Sequence, residues 1–137
     1  MSADTHNQDT FLTIHNSGST NFPGYTITID NAGSGTLVYE ECRYAPERPQ
    51  CQKEDKIFSP QTFQLSPIRQ VLSQIGSIQN LPSHSCIKSI SMGSRTHLSY
   101  QGQQSGDISC ITSSDPPLYN SLKKEIDALV AQATRSS

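Results

Sequence analysis

The sequence predicts an α+β fold, an antiparallel sheet of about five strands with two helices on one face, in the order β-β-β-α-β-β-α and held by two disulfides. Three observations point there. Short runs rich in β-branched and aromatic residues alternate with a period of two, two stretches carry apolar residues at helical spacing, and four cysteines fall as two sequential pairs. Helices covering one face of an antiparallel sheet are a standard way to bury such stripes.

Residues 1–10 are polar without periodicity and are expected to be a disordered tail, leaving 11–137 as a single α+β domain. The first strand is expected over 11–15. A loop follows over Asn16 to Asn21, rich in residue types that favour turns. Tyr25, Ile27 and Ile29 alternate with Thr26, Thr28 and Asp30, the mark of a half-buried strand. Asp30 to Gly35 reads as a hairpin loop, and 36–41 returns as the partner with Leu37 and Tyr39 on one face. Three prolines and mixed charge over 42–60 exclude a helix or a central strand, so an exposed loop is expected there.

Ser66 and Pro67 then read as an N-cap with proline at the first helical position. Ile68, Val71, Leu72 and Ile75 form one apolar stripe, and Gly76 followed by Pro82 ends the helix. Strands are expected over 87–92, 96–100 and 107–110, with a turn at Gln101-Gly102. Asp115-Pro116-Pro117 opens a second helix, whose face is Leu118, Leu122, Ile126, Leu129, Val130 and Ala133.

Only 33% of the chain is apolar and tryptophan is absent, so a thin core would benefit from staples. Pairing Cys42 with Cys51 and Cys86 with Cys110 joins neighbours in sequence and would contribute about 2.7 and about 3.5 kcal/mol. Zinc prefers tighter Cys-x2–4-Cys pairs, so no metal and no cofactor is expected, and a surface histidine beside a disulfide accounts for the His84-Ser85-Cys86 triplet. An even cysteine count in such a chain suits an oxidising compartment, hence a secreted or periplasmic protein whose signal peptide has been removed. A net charge of −2 with no basic run beyond Lys123-Lys124 argues against nucleic acid. No stretch approaches the roughly 18 apolar residues of a transmembrane helix, so no membrane insertion is expected. Another protein stays open as a partner, with a monomer or weak dimer expected.

Catalytic signatures are sparse. There is no Gly-x-Ser-x-Gly, since the nearest run, Gly102 to Gly106, has the wrong spacing. His15, His84 and His97 have no acid beside them in sequence. The carboxylates available for paired acid/base work, Glu40, Glu41, Glu47, Glu54, Asp55 and Asp107, sit mostly in charged loops. These features favour a non-catalytic binding or structural module over a small hydrolase.

The run from Cys86 to Ser94, continuing through Leu98-Ser99-Tyr100-Gln101-Gly102 and Ser105-Gly106-Asp107-Ile108-Ser109-Cys110 to Leu118-Tyr119, resembles small exported bacterial proteins of unknown function. That resemblance spans roughly 10–130 and implies no activity. In layout the chain also resembles the bacterial subtilisin-inhibitor family, with two sequentially paired disulfides, a helix between the second and third cysteines and strands between the third and fourth. The family's protease-facing residue stands two places after the third cysteine. This likeness implies a protease-facing loop at Ile87, Lys88 and Ser89, although Ile90-Ser91-Met92 stands where the family has Tyr-Asp-Pro and the cysteine spacings are shorter.

Overall fold

The computed structural model describes residues 10–18, 23–40, 56–60, 64–84, 86 and 94–135. They build one antiparallel sheet with two α-helices against it. Strands β1 (Thr10–Asn16), β2 (Gly24–Asp30) and β3 (Gly35–Glu40) form a meander. Asp30 closes the β2–β3 turn by accepting from the Ala32 N–H at 2.9 Å and the Ser34 N–H at 3.0 Å. This is the side-chain mimicry of a backbone turn that favours aspartate at such places.

A short strand follows, β4 (Lys56–Phe58), then helix α1 (Ser66–Ile75) and a single 3-10 turn (Ile78–Asn80). Strands β5 (Thr96–Tyr100) and β6 (Gln103–Gln104) form a tight hairpin before helix α2 (Pro117–Arg135). Across the sheet the order is β4-β3-β2-β1-β5-β6. The chain therefore leaves one edge of the sheet through α1 and re-enters at the other.

Sheet register sets the core. Leu37, Ile27, Ile14 and Leu98 are directly opposed in turn across β3, β2, β1 and β5, forming one row. All four are essentially fully buried and join Ile68, Leu72, Leu122, Ile126 and Leu129 of the helices in one cluster. Helical spacing delivers those side chains as expected, with Val71, Ile75 and Val130 packed at the margin. At the β3–β4 pair, Gly35 lies opposite Phe58, and a Cβ at Gly35 would come within 2.7–2.8 Å of ring carbons Cε1 and Cε2. Glycine there is a packing requirement.

Several expectations need correction. The described residues form six strands, in the order β-β-β-β-α-β-β-α, because 56–58 of the expected loop pairs with β3 as an edge strand. The 107–110 segment is not a strand. Asp107 Oδ1 accepts from the backbone N–H groups of Thr96 and Ser109, both at 3.0 Å, and from the Ser109 hydroxyl at 2.7 Å, which holds the chain in a turn. The last strand is Gln103–Gln104 instead.

Ser66 is the first helical residue rather than the cap, and the cap position falls to Leu65 without a side-chain bond. Gly76 does end α1, at φ 77°, donating its N–H to the Leu72 carbonyl at 3.0 Å. β1 begins one residue inside the expected tail, at Thr10. The strand expected over 87–92 and the Cys42–Cys51 pair lie outside the described residues. Cys86 and Cys110 are disulfide-bonded with Cα atoms 5.8 Å apart.

Candidate functional site

A β-bulge builds one candidate site. Thr10 pairs with Asp30 and Leu12 with Ile29, so Phe11 is the extra residue in β1. A bulge re-aims the side chain it inserts. Phe11 is buried, with the Tyr100 ring edge-on at 5.8 Å and the Arg69 guanidinium 4.4 Å above its centroid. Arg69 projects from the second turn of α1 and donates through Nη2 to the Asn31 carbonyl at 2.8 Å. Two contacts thus fix the guanidinium, one apolar and one polar.

Around it lies an open groove of about 590 Å³ lined also by Thr10, Thr13, Ser99, Gln101 and Gly102. Among the described residues Arg69 is the only charged side chain in that lining, and it has no carboxylate partner there. Asp30, the nearest acid in sequence to Asn31, accepts from the β2–β3 turn. The far wall is the β5–β6 turn, where Gln101 and Gly102 both have positive φ, 52° and 76°. A two-residue hairpin of this kind requires that geometry at both positions, and glutamine adopts it reluctantly.

A second recess of about 550 Å³ lies beside the disulfide, lined by Ser83, His84, Cys86, Arg95, His97 and Asp107 among others. His84 donates from Nε2 to Asp115 Oδ1 at 2.6 Å, an acid 31 residues away that adjacency in sequence could not suggest. That bond, with the Thr112 N–H on Oδ2 at 2.9 Å, holds the Asp115 carboxyl below the usual carboxylate range. Asp115 also leads into α2, where its carbonyl accepts from Asn120 Nδ2 at 2.8 Å. The pair therefore fixes the helix start to the segment ahead of Cys86. Asp107, one of the carboxylates considered for acid/base work, is engaged with the backbone of β5 and of its own turn.

Of the residues singled out in the sequence, Cys86 and Cys110 are joined, whereas Cys42, Cys51, Ile87, Lys88 and Ser89 lie outside the described residues. The Arg69 groove was not legible. Its walls come from residues near 11, 31, 69 and 101, and nothing in those stretches marks them except the Gln101-Gly102 turn. Among the described residues no cluster of three or more metal-ligating side chains occurs, and no helix is long and apolar enough to cross a membrane. No protein-family model matches the chain, and neither does any curated protein or solved structure.

Proposed function

We propose that this protein is a non-catalytic binding module of an oxidising, extracytoplasmic compartment, and that it holds a small carboxylate- or phosphate-bearing ligand against Arg69. The observation that carries this reading is a guanidinium held between Phe11 and the Asn31 carbonyl in an open groove that no acidic side chain of the described residues lines. Arginine presents a planar fork of donors that matches carboxylate and phosphate, and a fork already held in place loses little freedom on binding. Neutral hydroxyl and amide groups of Thr10, Thr13, Ser99 and Gln101 would serve the remainder of the ligand. The Cys86–Cys110 bond supports the compartment, since disulfides persist where thiols are not kept reduced.

Acetate, succinate, glucuronate and inorganic phosphate, titrated at millimolar concentration and followed by amide NMR shifts, test the reading. At least one should shift the amides around Asn31 and Gln101, and Arg69→Lys should weaken it by about tenfold or more, because lysine lacks the fork. Arg69→Met, which keeps an apolar cover over Phe11, should abolish it with little change in melting temperature. Silence from all four probes, or equal binding by the Met variant, would remove the reading.

One observation favours a second reading, a protease inhibitor. The Cys86–Cys110 bond ties the chain two positions before Lys88, and a tie of that kind lowers the ordering cost that tight inhibition of a protease would otherwise carry. Trypsin left fully active by a micromolar excess of the oxidised protein would exclude it.

A further inference from the structure

The sheet face turned away from the helices carries a second feature. His15 of β1 and His97 of β5 are directly opposed in the antiparallel register, between the pairs Ile14–Leu98 and Asn16–Thr96. Ile14 and Leu98 point into the core, so the two imidazoles share the opposite face. Directly opposed residues hold their Cβ atoms about 4.5–5.5 Å apart. Two residues along, the Ser17 N–H donates to the Arg95 carbonyl at 2.9 Å, which keeps this end of the β1–β5 ladder closed.

We propose that His15 and His97 form a two-histidine chelate for a divalent transition-metal ion of the nickel, copper or zinc class. His97 supplies the main argument. Its Nδ1 lies 3.3 Å from the Ser105 carbonyl, which can only accept, so Nδ1 carries the proton and Nε2 keeps its lone pair. Ser105 follows β6, on the side of β5 away from β1. With Nδ1 directed at Ser105, the Nε2 corner of the ring lies outward from the sheet and on its β1 side, where the register places His15. A ligating histidine held through its other nitrogen by a backbone carbonyl is the usual outer-shell arrangement of metal sites.

The carbonyl itself is fixed. Ser105 is buried, accepts the Leu98 N–H on its hydroxyl at 2.9 Å, and donates its own N–H to the Leu98 carbonyl at 2.9 Å. On the β1–β2 side of that face the flanking residues Thr13, Thr26 and Ser99 are uncharged, while His84, Arg95 and Asp107 share a recess with His97 on its other side. Arg95 stands one strand repeat from His97, about 7 Å along the chain, and lowers affinity without filling the site. Two imidazoles leave the remaining coordination positions to water or to a partner's donors, which sets the affinity in the micromolar to millimolar range. Imidazole favours nickel, copper and zinc over magnesium or calcium.

Nickel chloride titrated into the full-length oxidised protein, followed by calorimetry and melting temperature, tests the site. One ion per chain should bind and raise the melting temperature, because an ion that joins β1 to β5 binds only the folded state. His15→Gln and His97→Gln should each weaken binding by about tenfold or more and remove the rise, while melting normally without metal. His84→Gln, His6→Gln and Arg69→Lys should leave it intact, the last separating this site from the anion groove. No binding at millimolar nickel, a rise that survives His97→Gln, or a rise lost only in His6→Gln would overturn the proposal.

Discussion

Tyr25 shows how far one side chain's surroundings can depart from its place in the sequence. It opposes Tyr39 across β2 and β3, with ring centroids 6.3 Å apart and nearly perpendicular. Burial, then the neighbouring Tyr39 and Asp127, push its phenol up to about 12. In the unfolded chain it would ionise near 10, so the folded state retains its proton over that interval. Stability that Tyr25 contributes is thus complete below pH 10 and is lost as pH rises toward 12, by on the order of 2 kcal/mol. Alkaline unfolding followed by tyrosinate absorbance should begin above pH 10, and Tyr25→Phe should move it upward. An unchanged alkaline midpoint in the variant would contradict this. The alternation that places Tyr25 on a strand was legible in sequence, whereas Asp127, 102 positions further on and brought over β2 by α2, was not.

At the scale of elements, periodicity was a good guide wherever one face is buried. β1, β2, β3, β5 and both helices lie where their apolar spacing puts them, because each needs the same core row. It failed at 107–110, where Asp-Ile-Ser-Cys alternates like a strand but the aspartate's own carboxylate takes the donors that a ladder would use. It failed also at β4, three residues in which Phe58 is buried and Ile57 exposed, too short to register as a pattern. Helix α2 gives the clearest prediction at this scale. Leu122, Ile126, Leu129 and Ala133 are buried against the sheet and α1, and each large one is worth about 2–5 kcal/mol. Truncation after Pro116 should therefore abolish cooperative unfolding and expose dye-binding apolar surface. A truncated chain that melted sharply as a monomer would refute the packing.

For the molecule as a whole, the disulfide and the groove differ in what a linear reading can reach. Even cysteine count and spacing sufficed to pair Cys86 with Cys110, a connection between sequence neighbours. The Arg69 groove and the His15–His97 pair depend on sheet register and on a bulge, neither of which has a signature in composition. Closing the Cys86–Cys110 loop removes freedom from the unfolded chain worth about 3.5 kcal/mol. Reduction should lower the melting temperature by about 10 °C or more. Equal melting of the oxidised and reduced proteins would show that the bond constrains nothing.

The strand order also has a consequence in time. β1 lies between β2, the next strand in the chain, and β5, whose nearest pair with it, Asn16 with Thr96, spans 80 residues. Chain searching for such a distant partner is slow compared with hairpin closure, so the β1–β3 meander should assemble early and β5 should dock late. Until it does, the inner edge of β1 is an unpaired row of backbone donors and acceptors beside Ile14, the kind of surface on which nascent chains associate. The protein is therefore most vulnerable to aggregation while it is being made, when the residues that will cover its central strand have yet to arrive.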